Sequence, residues 1–94
     1  GAPVKPQETE RLPRATTSQG PWRVQLGAFS VAGNADKLWK KLSGRAELAG
    51  KERLMIPSGR ATKLQAGGFA TRSAADAACR SLQQAGQDCL VMRS

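Results

Sequence analysis

The stretch Trp22–Phe29, WRVQLGAF, and its echo Thr62–Phe69, TKLQAGGF, decide the fold of this chain. Four positions match at one constant offset of 40 residues: Val24, Gln25, Gly27 and Phe29 correspond to Leu64, Gln65, Gly67 and Phe69. Both stretches alternate apolar and polar residues, which is the period-2 pattern of a strand with one covered face. Each then meets a Gly-x-Phe corner and leads into a helical pattern. The sequence therefore predicts a strand–corner–helix unit that is used twice.

The other elements follow from apolar spacing and turn residues. The first helix is predicted at 34–43 with Asn34 as its N-cap, and the second begins at Ser73 and stops at Gly86. A hairpin that turns at Ser58-Gly59 joins a strand at 53–57 to a strand at 60–66, and the last strand spans 88–92. In the strand at 53–57, the apolar side chains Leu54 and Ile56 are expected to face the core.

The resulting order, β-α-β-β-α-β, predicts an α+β fold of the ferredoxin-like (RNP-like) type. Such a fold has a four-stranded antiparallel sheet with two helices on one face. Right-handed crossovers place the two echoed strands side by side at the centre. The opposite face is then uncovered, and four side chains of the central strands should point out of it: Arg23, Gln25, Lys63 and Gln65.

The amino-acid composition limits the domain organisation and the classes of function that this chain can have. Residues 1–20 contain three prolines and few bulky apolar side chains, so we expect a flexible tether there and a folded domain over 21–94. The net charge of +8, from 15 Lys+Arg against 7 Asp+Glu, favours a polyanionic partner, although charge also serves solubility. The chain has no histidine, so we expect no catalysis, no metal site and no cofactor. No apolar run approaches the roughly 18–20 residues of a membrane span.

The string WRVQLGAF, followed by Asn34-Ala35 and leucines and then by the Gly-x-Phe echo with an Ala-rich helix, resembles the SPOR (sporulation-related repeat) domain. The resemblance covers about 22–92. It implies a non-catalytic module of the bacterial cell envelope, in the periplasm, at the end of a flexible linker. Its implied ligand is peptidoglycan glycan without stem peptides, which accumulates at the division septum. We expect a monomer that does not itself contact the membrane.

The same resemblance implies where the ligand binds. The glutamine of the first strand falls on Gln25, the basic residue of the third strand on Lys63, and an apolar residue of the last strand near Leu90. Two positions depart from the family pattern, because Ala28 and Ala61 stand where a hydroxyl and an aromatic residue often occur. Part of the usual contact set is therefore missing, or one of three residues replaces it: Arg60, Arg23 or Ser30.

The chemistry of these side chains also favours a glycan ligand, independently of the family resemblance. Amide side chains pair with hydroxyls and acetamides, and Lys and Arg pair with carboxylates. One alternative is a single-stranded nucleic-acid-binding domain of the RRM type, which stacks bases on aromatic residues of the central strands. The four outward positions hold no aromatic residue, so we do not expect a nucleic-acid partner. A second alternative is a protein-interaction domain of ferredoxin-like fold.

Cys79 and Cys89 are predicted to form a disulfide. Cys79 lies seven residues before Gly86 on the helix, roughly 10 Å at 1.5 Å per residue. Cys89 lies three residues after it, again roughly 10 Å at 3.3 Å per residue of strand. The two sulfur atoms should therefore be level, and an oxidising envelope favours their bonding. The alternative is a pair of buried thiols in a reduced core.

Overall fold

The structure is a computed structural model that describes residues 20–93. The elements in chain order are β1 Trp22–Phe29, α1 Ala32–Leu42, a 3₁₀ turn Ala46–Leu48, β2 Glu52–Ser58, β3 Ala61–Phe69, α2 Arg72–Gln84 and β4 Leu90–Arg93. The predicted element order is confirmed. The tether predicted at 1–20 lies, apart from Gly20, outside the described residues. Over 20–93 no helix combines the length and the apolar character needed to cross a membrane.

The sheet has the strand order β2-β3-β1-β4, and every neighbouring pair is antiparallel. The two echoed strands, β1 and β3, form the central pair, as predicted, and Gln25 lies directly opposite Gln65. Two register shifts interrupt this pair, one at Leu26 and one at Gly68. Gly68 has a φ of 97°, which few residues other than glycine adopt. The bulges bend β1 and β3 where they lead into the helices.

Both helices pack on one face of the sheet and bury a small apolar core between the layers. The fully or nearly fully buried side chains are Val24, Leu26, Ala35, Leu42, Leu48, Leu64, Ala66, Phe69, Ala75, Ala78, Cys79 and Leu82. Trp39 packs against this core from α1, and Met55 packs against it from β2. The second helix contributes mostly small side chains, so its backbone approaches the sheet closely. A disulfide between Cys79 and Cys89 links α2 to the segment before β4, with the two Cα atoms 5.4 Å apart.

The predicted N-caps are wrong, because both helices begin earlier than the capping pattern indicates. α1 begins at Ala32, and Val31 occupies its N-cap position without a side-chain hydrogen bond, so Asn34 already lies inside the helix. In α2, the Thr71 hydroxyl oxygen accepts a hydrogen bond from the backbone N–H of Ala74 at 3.0 Å. Thr71 has the extended backbone that an N-cap needs, whereas Ser73 is already helical.

The predicted end of α2 is confirmed. Gly86 has a φ of 88°, and its N–H donates to the carbonyl of Gln83 at 3.0 Å. The N–H of Gln87 donates to the carbonyl of Leu82 at 2.9 Å. These bonds satisfy the last carbonyls of the helix and reverse the chain toward β4.

The orientation predicted for β2 is also wrong. Leu54 pairs with Gln65 and Ile56 pairs with Lys63, and directly paired residues point to the same face. Leu54 and Ile56 therefore lie on the uncovered face, while Met55 between them points to the core. The strand contains three consecutive apolar residues, so alternation alone does not say which face they occupy. A shift of one residue in the register reverses every side chain.

Glu47 links the 3₁₀ turn to α2 by hydrogen bonds. Its carboxylate accepts two hydrogen bonds from the Arg45 guanidinium, at 3.0 and 3.1 Å, and one from the Ser81 hydroxyl. These bonds favour the ionised form and lower the pKa of Glu47 from 4.5 to about 2, with the bond from Arg45 as the largest cause.

This pKa predicts a defined acid sensitivity. Because the folded state lowers the pKa of Glu47, its carboxylate stabilises the fold above about pH 4.5, and this contribution disappears as the pH falls toward about 2. Urea unfolding of the wild-type protein and of Glu47→Gln should show a stability difference that is constant above pH 5 and closes below it. A difference that does not change between pH 7 and pH 2 would contradict this assignment.

Candidate functional site

The open face of the sheet, which is the face opposite the helices, is built from rows of side chains that cross the strands. The middle row spans all four strands in the order Leu54, Gln65, Gln25, Leu90. The row on one side of it consists of Glu52, Gly67, Arg23 and Met92. The row on the other side consists of Ile56, Lys63 and Ala28. The two central strands therefore contribute most of the polar side chains of the face, and the edge strands contribute Leu54, Ile56, Leu90 and Met92 together with Glu52.

A chain of hydrogen bonds connects the polar side chains at the centre of the open face. The Arg23 guanidinium donates from Nη1 to Oε1 of Gln65 at 3.1 Å. Gln65 donates from Nε2 to Oε1 of Gln25 at 3.2 Å. Among residues 20–93, no group accepts a hydrogen bond from Nε2 of Gln25. The free end of this chain is therefore a pair of N–H donors on Gln25.

Gln65 lies on the open face, as predicted, but the residue is only 4% exposed. Arg23 and Gln25 bond to both ends of its amide. Leu54 lies beside it and reaches over Gly67, where an added Cβ would lie 2.8 Å from the Leu54 Cδ1 atom. Gln65 has little surface with which to touch a ligand, and its position fits a supporting role behind Gln25.

The other predicted site residues lie at different places around this centre. Lys63 is half-buried between Ile56 and Ala28, and it forms an ion pair with none of the acidic groups described by the structure. Leu90 begins β4 and is 58% exposed. Arg60 is exposed in the turn between β2 and β3, outside the rows of paired residues. The structure thus groups Arg23, Gln25, Lys63, Gln65 and Leu90, and it separates Arg60 from them.

The sequence did not predict a cleft that adjoins the open face between β1 and the start of β4. The cleft has a volume of about 320 Å³ and is lined by Gln25, Leu26, Gly27, Gln83, Asp88, Cys89 and Leu90. It exists because β4 begins only at Leu90, opposite Gln25, so β1 continues past its partner. The side chain of Gln87 donates from Nε2 to the carbonyl of Leu26 at 2.8 Å, which satisfies part of this free edge.

The open face can therefore offer N–H donors from Gln25, a cation from Lys63 and apolar contacts from its edges. None of the side chains that the described strands place on it is aromatic, so it lacks the base-stacking groups of an RRM. Within 20–93, no three His, Cys, Asp or Glu side chains cluster closely enough to hold a metal ion. Fold and face together define a small α+β domain with an uncovered, polar sheet surface suited to an extended ligand.

Comparisons with known proteins are consistent with that class. The family model described as the SPOR domain matches residues 18–93, and the chain belongs to this family. Among solved structures, the chain is similar to the peptidoglycan binding domain of the B. subtilis cell wall lytic enzyme CwlC. That match has 28% sequence identity and a TM-score of 0.64, and it covers 86% of this chain and 98% of the other. A comparison with curated proteins gives no match.

Proposed function

We propose that the domain binds peptidoglycan, and that the open face holds glycan strands from which the stem peptides have been removed. The observation that carries this proposal is the middle row of the sheet, in which the amide of Gln25, supported by Gln65, lies between Leu54 and Leu90. A glycan strand offers hydroxyls and acetamides to amide side chains, and its sugar rings have apolar faces for aliphatic residues. The similarity to a peptidoglycan-binding domain of CwlC supports the same ligand.

Lys63 supports the preference for stripped strands. In intact peptidoglycan the lactyl carboxylate of muramic acid is bonded to the stem peptide as an amide and carries no charge. An amidase cleaves that bond, so it removes a bulky substituent and creates a carboxylate in one step. The ammonium of Lys63, which has no partner among the described acidic groups, can then pair with the new anion. Stem peptides would also crowd a shallow face sterically.

The proposal extends to the role of the whole chain. Residues 1–20 would act as a flexible linker, because their composition cannot form a core. The domain would contribute binding without catalysis and would direct a parent protein to places where amidases act, above all the division septum in the periplasm. Septal enrichment follows from the ligand, since stripped strands arise where daughter cells separate.

Binding to purified sacculi tests this function. We expect the protein to sediment weakly with intact sacculi and strongly with sacculi that an amidase has treated. Digestion of the glycan with a muramidase should then release it. Equal sedimentation with intact and treated sacculi would overturn the preference for stripped strands. A single-stranded oligonucleotide serves as the competitor control, and tight, salt-sensitive binding to it would favour a nucleic-acid ligand instead.

A further inference from the structure

We propose that the cleft between β1 and β4 is a subsite for the acetamide group of the glycan. In this proposal, Arg23 and Gln65 are positioning residues that fix which end of the Gln25 amide faces the ligand. The inference rests on the proposed function and adds the chemical group that the site recognises, together with the reason for its selectivity.

The direction of the hydrogen-bond chain follows from its first member. A guanidinium group has only donors, so Arg23 requires the oxygen end of the Gln65 amide. Gln65 then has only its nitrogen end to offer to β1, so the neighbouring amide must present Oε1 to it. The two Nε2–H donors of Gln25 are left over. The orientation of an amide on β1 is therefore set by an arginine that acts through an intermediate amide.

Burial makes this orientation rigid. Gln65 is only 4% exposed, so water has little access to compensate for a reversed amide. Reversal would set its N–H groups against those of Arg23 and its oxygen against the oxygen of Gln25. A buried polar group that loses its partner is strongly disfavoured. The chain of hydrogen bonds from Arg23 through Gln65 to Gln25 consequently ends in donors, and not in an acceptor.

The cleft lies beside Gln25, on the side of β1 that is away from β3. Oε1 of Gln25 accepts from β3, so Nε2 is the end of the amide that remains available to a ligand, and Gln25 lines the cleft between β1 and β4. Leu90, which is 58% exposed, supplies an apolar wall. Asp88 and Gln83 also line the cleft, and each carries a side-chain oxygen that can accept a hydrogen bond. The cleft thus combines a donor, an apolar surface and an acceptor.

An acetamide has the complementary set of groups. Its carbonyl accepts from Nε2 of Gln25, its methyl group packs on Leu90, and its N–H donates to Asp88 or Gln83. A free sugar amine is protonated and has only donors, so it leaves the N–H groups of Gln25 unpaired and has no methyl group for Leu90. The ion pair that it gains with Asp88 is weak, because Asp88 is exposed and both charges stay solvated. We therefore expect the domain to prefer N-acetylated glycan over the same glycan after removal of its acetyl groups.

Gln65→Glu provides the test, because a carboxylate accepts from both neighbours. Arg23 keeps its hydrogen bond, but Gln25 must now turn Nε2 toward β3, which leaves Oε1 facing the cleft. For the wild-type protein we expect about tenfold tighter binding to stripped N-acetylated strands than to stripped, de-N-acetylated strands, as one hydrogen bond allows. For Gln65→Glu we expect this ratio to fall to about 1 or to invert. The control Gln84→Glu makes the same charge change on an exposed part of α2 and should keep the wild-type ratio.

The second variant, Arg23→Met, keeps the proposal testable if Gln65→Glu does not fold. It removes the group that fixes the direction of the chain, so the ratio should fall without inverting. A wild-type protein that binds both stripped glycans equally would overturn this inference and leave the proposed function standing. Variants that keep the wild-type ratio would equally overturn the positioning roles. Failure of the wild-type protein to bind either stripped glycan would instead overturn the proposed function.

Discussion

The double variant Gln25→Ala, Lys63→Ala is expected to lose about 100-fold or more in affinity for amidase-treated sacculi. Gln25 supplies the free donors of the open face, and Lys63 supplies a cation that has no partner among the described acidic residues. A neutral hydrogen bond contributes about 1 kcal/mol and one to a charged group about 1.5–3 kcal/mol, and each 1.4 kcal/mol is tenfold. Sedimentation with treated sacculi, or titration with stripped strands, measures this loss.

The double variant Gln25→Ala, Lys63→Ala should still fold, with nearly the stability of the wild-type protein. Neither side chain belongs to the apolar core, and removal of Gln25 lets water reach the amide of Gln65. We expect a loss of about 1 kcal/mol or less in the free energy of unfolding, measured with urea. Near-normal sacculus binding by the folded double variant would exclude the open face as the site.

A matched control removes charge from the other side of the domain. Lys37 and Lys41 are exposed on α1, on the face of that helix away from the sheet. The double variant Lys37→Ala, Lys41→Ala lowers the net charge by 2, more than the site variant does. If binding follows net charge alone, this control will lose more affinity. If the open face is the site, we expect it to stay within about threefold of the wild-type protein at physiological salt, where distant charges are screened.

We expect the disulfide to make the largest single contribution to the free energy of unfolding. Cys79 and Cys89 are 10 residues apart in sequence, and closing a loop of about 11 residues contributes roughly 2.8 kcal/mol in the chain-entropy model. A domain of this size is stabilised by only about 4–11 kcal/mol in total. We therefore expect the double variant Cys79→Ala, Cys89→Ala to unfold at a temperature about 11–22 °C lower.

Calorimetry or thermal unfolding followed by circular dichroism measures this shift. The wild-type protein in excess reductant is the control, and its melting temperature should approach that of the double variant. Thiol titration of the unfolded, unreduced wild-type protein should find no free thiol. A shift below about 4 °C, which corresponds to less than 1 kcal/mol, would show that the bond adds little to the fold.

The open face was predictable only in its central strands. Arg23 and Gln25 each lie between large apolar residues, and Lys63 precedes Leu64, so the alternation shows which way these three side chains point. Leu54 and Ile56 have an apolar residue between them, and only the pairing of β2 with β3 places them on the open face. The apolar edge of the site was therefore missed, because register between strands depends on contacts distant in sequence.

The sequence by itself determined the element order, the pairing of the echoed strands and the end of α2. These features depend on local patterns: period-2 alternation, helical spacing and a glycine at a positive φ. Only the tertiary structure decided that Gln65 is buried beneath Arg23 and Leu54, and that β4 begins late enough to leave a cleft beside Gln25. Both depend on side chains from different strands meeting across the sheet, which local sequence patterns do not encode.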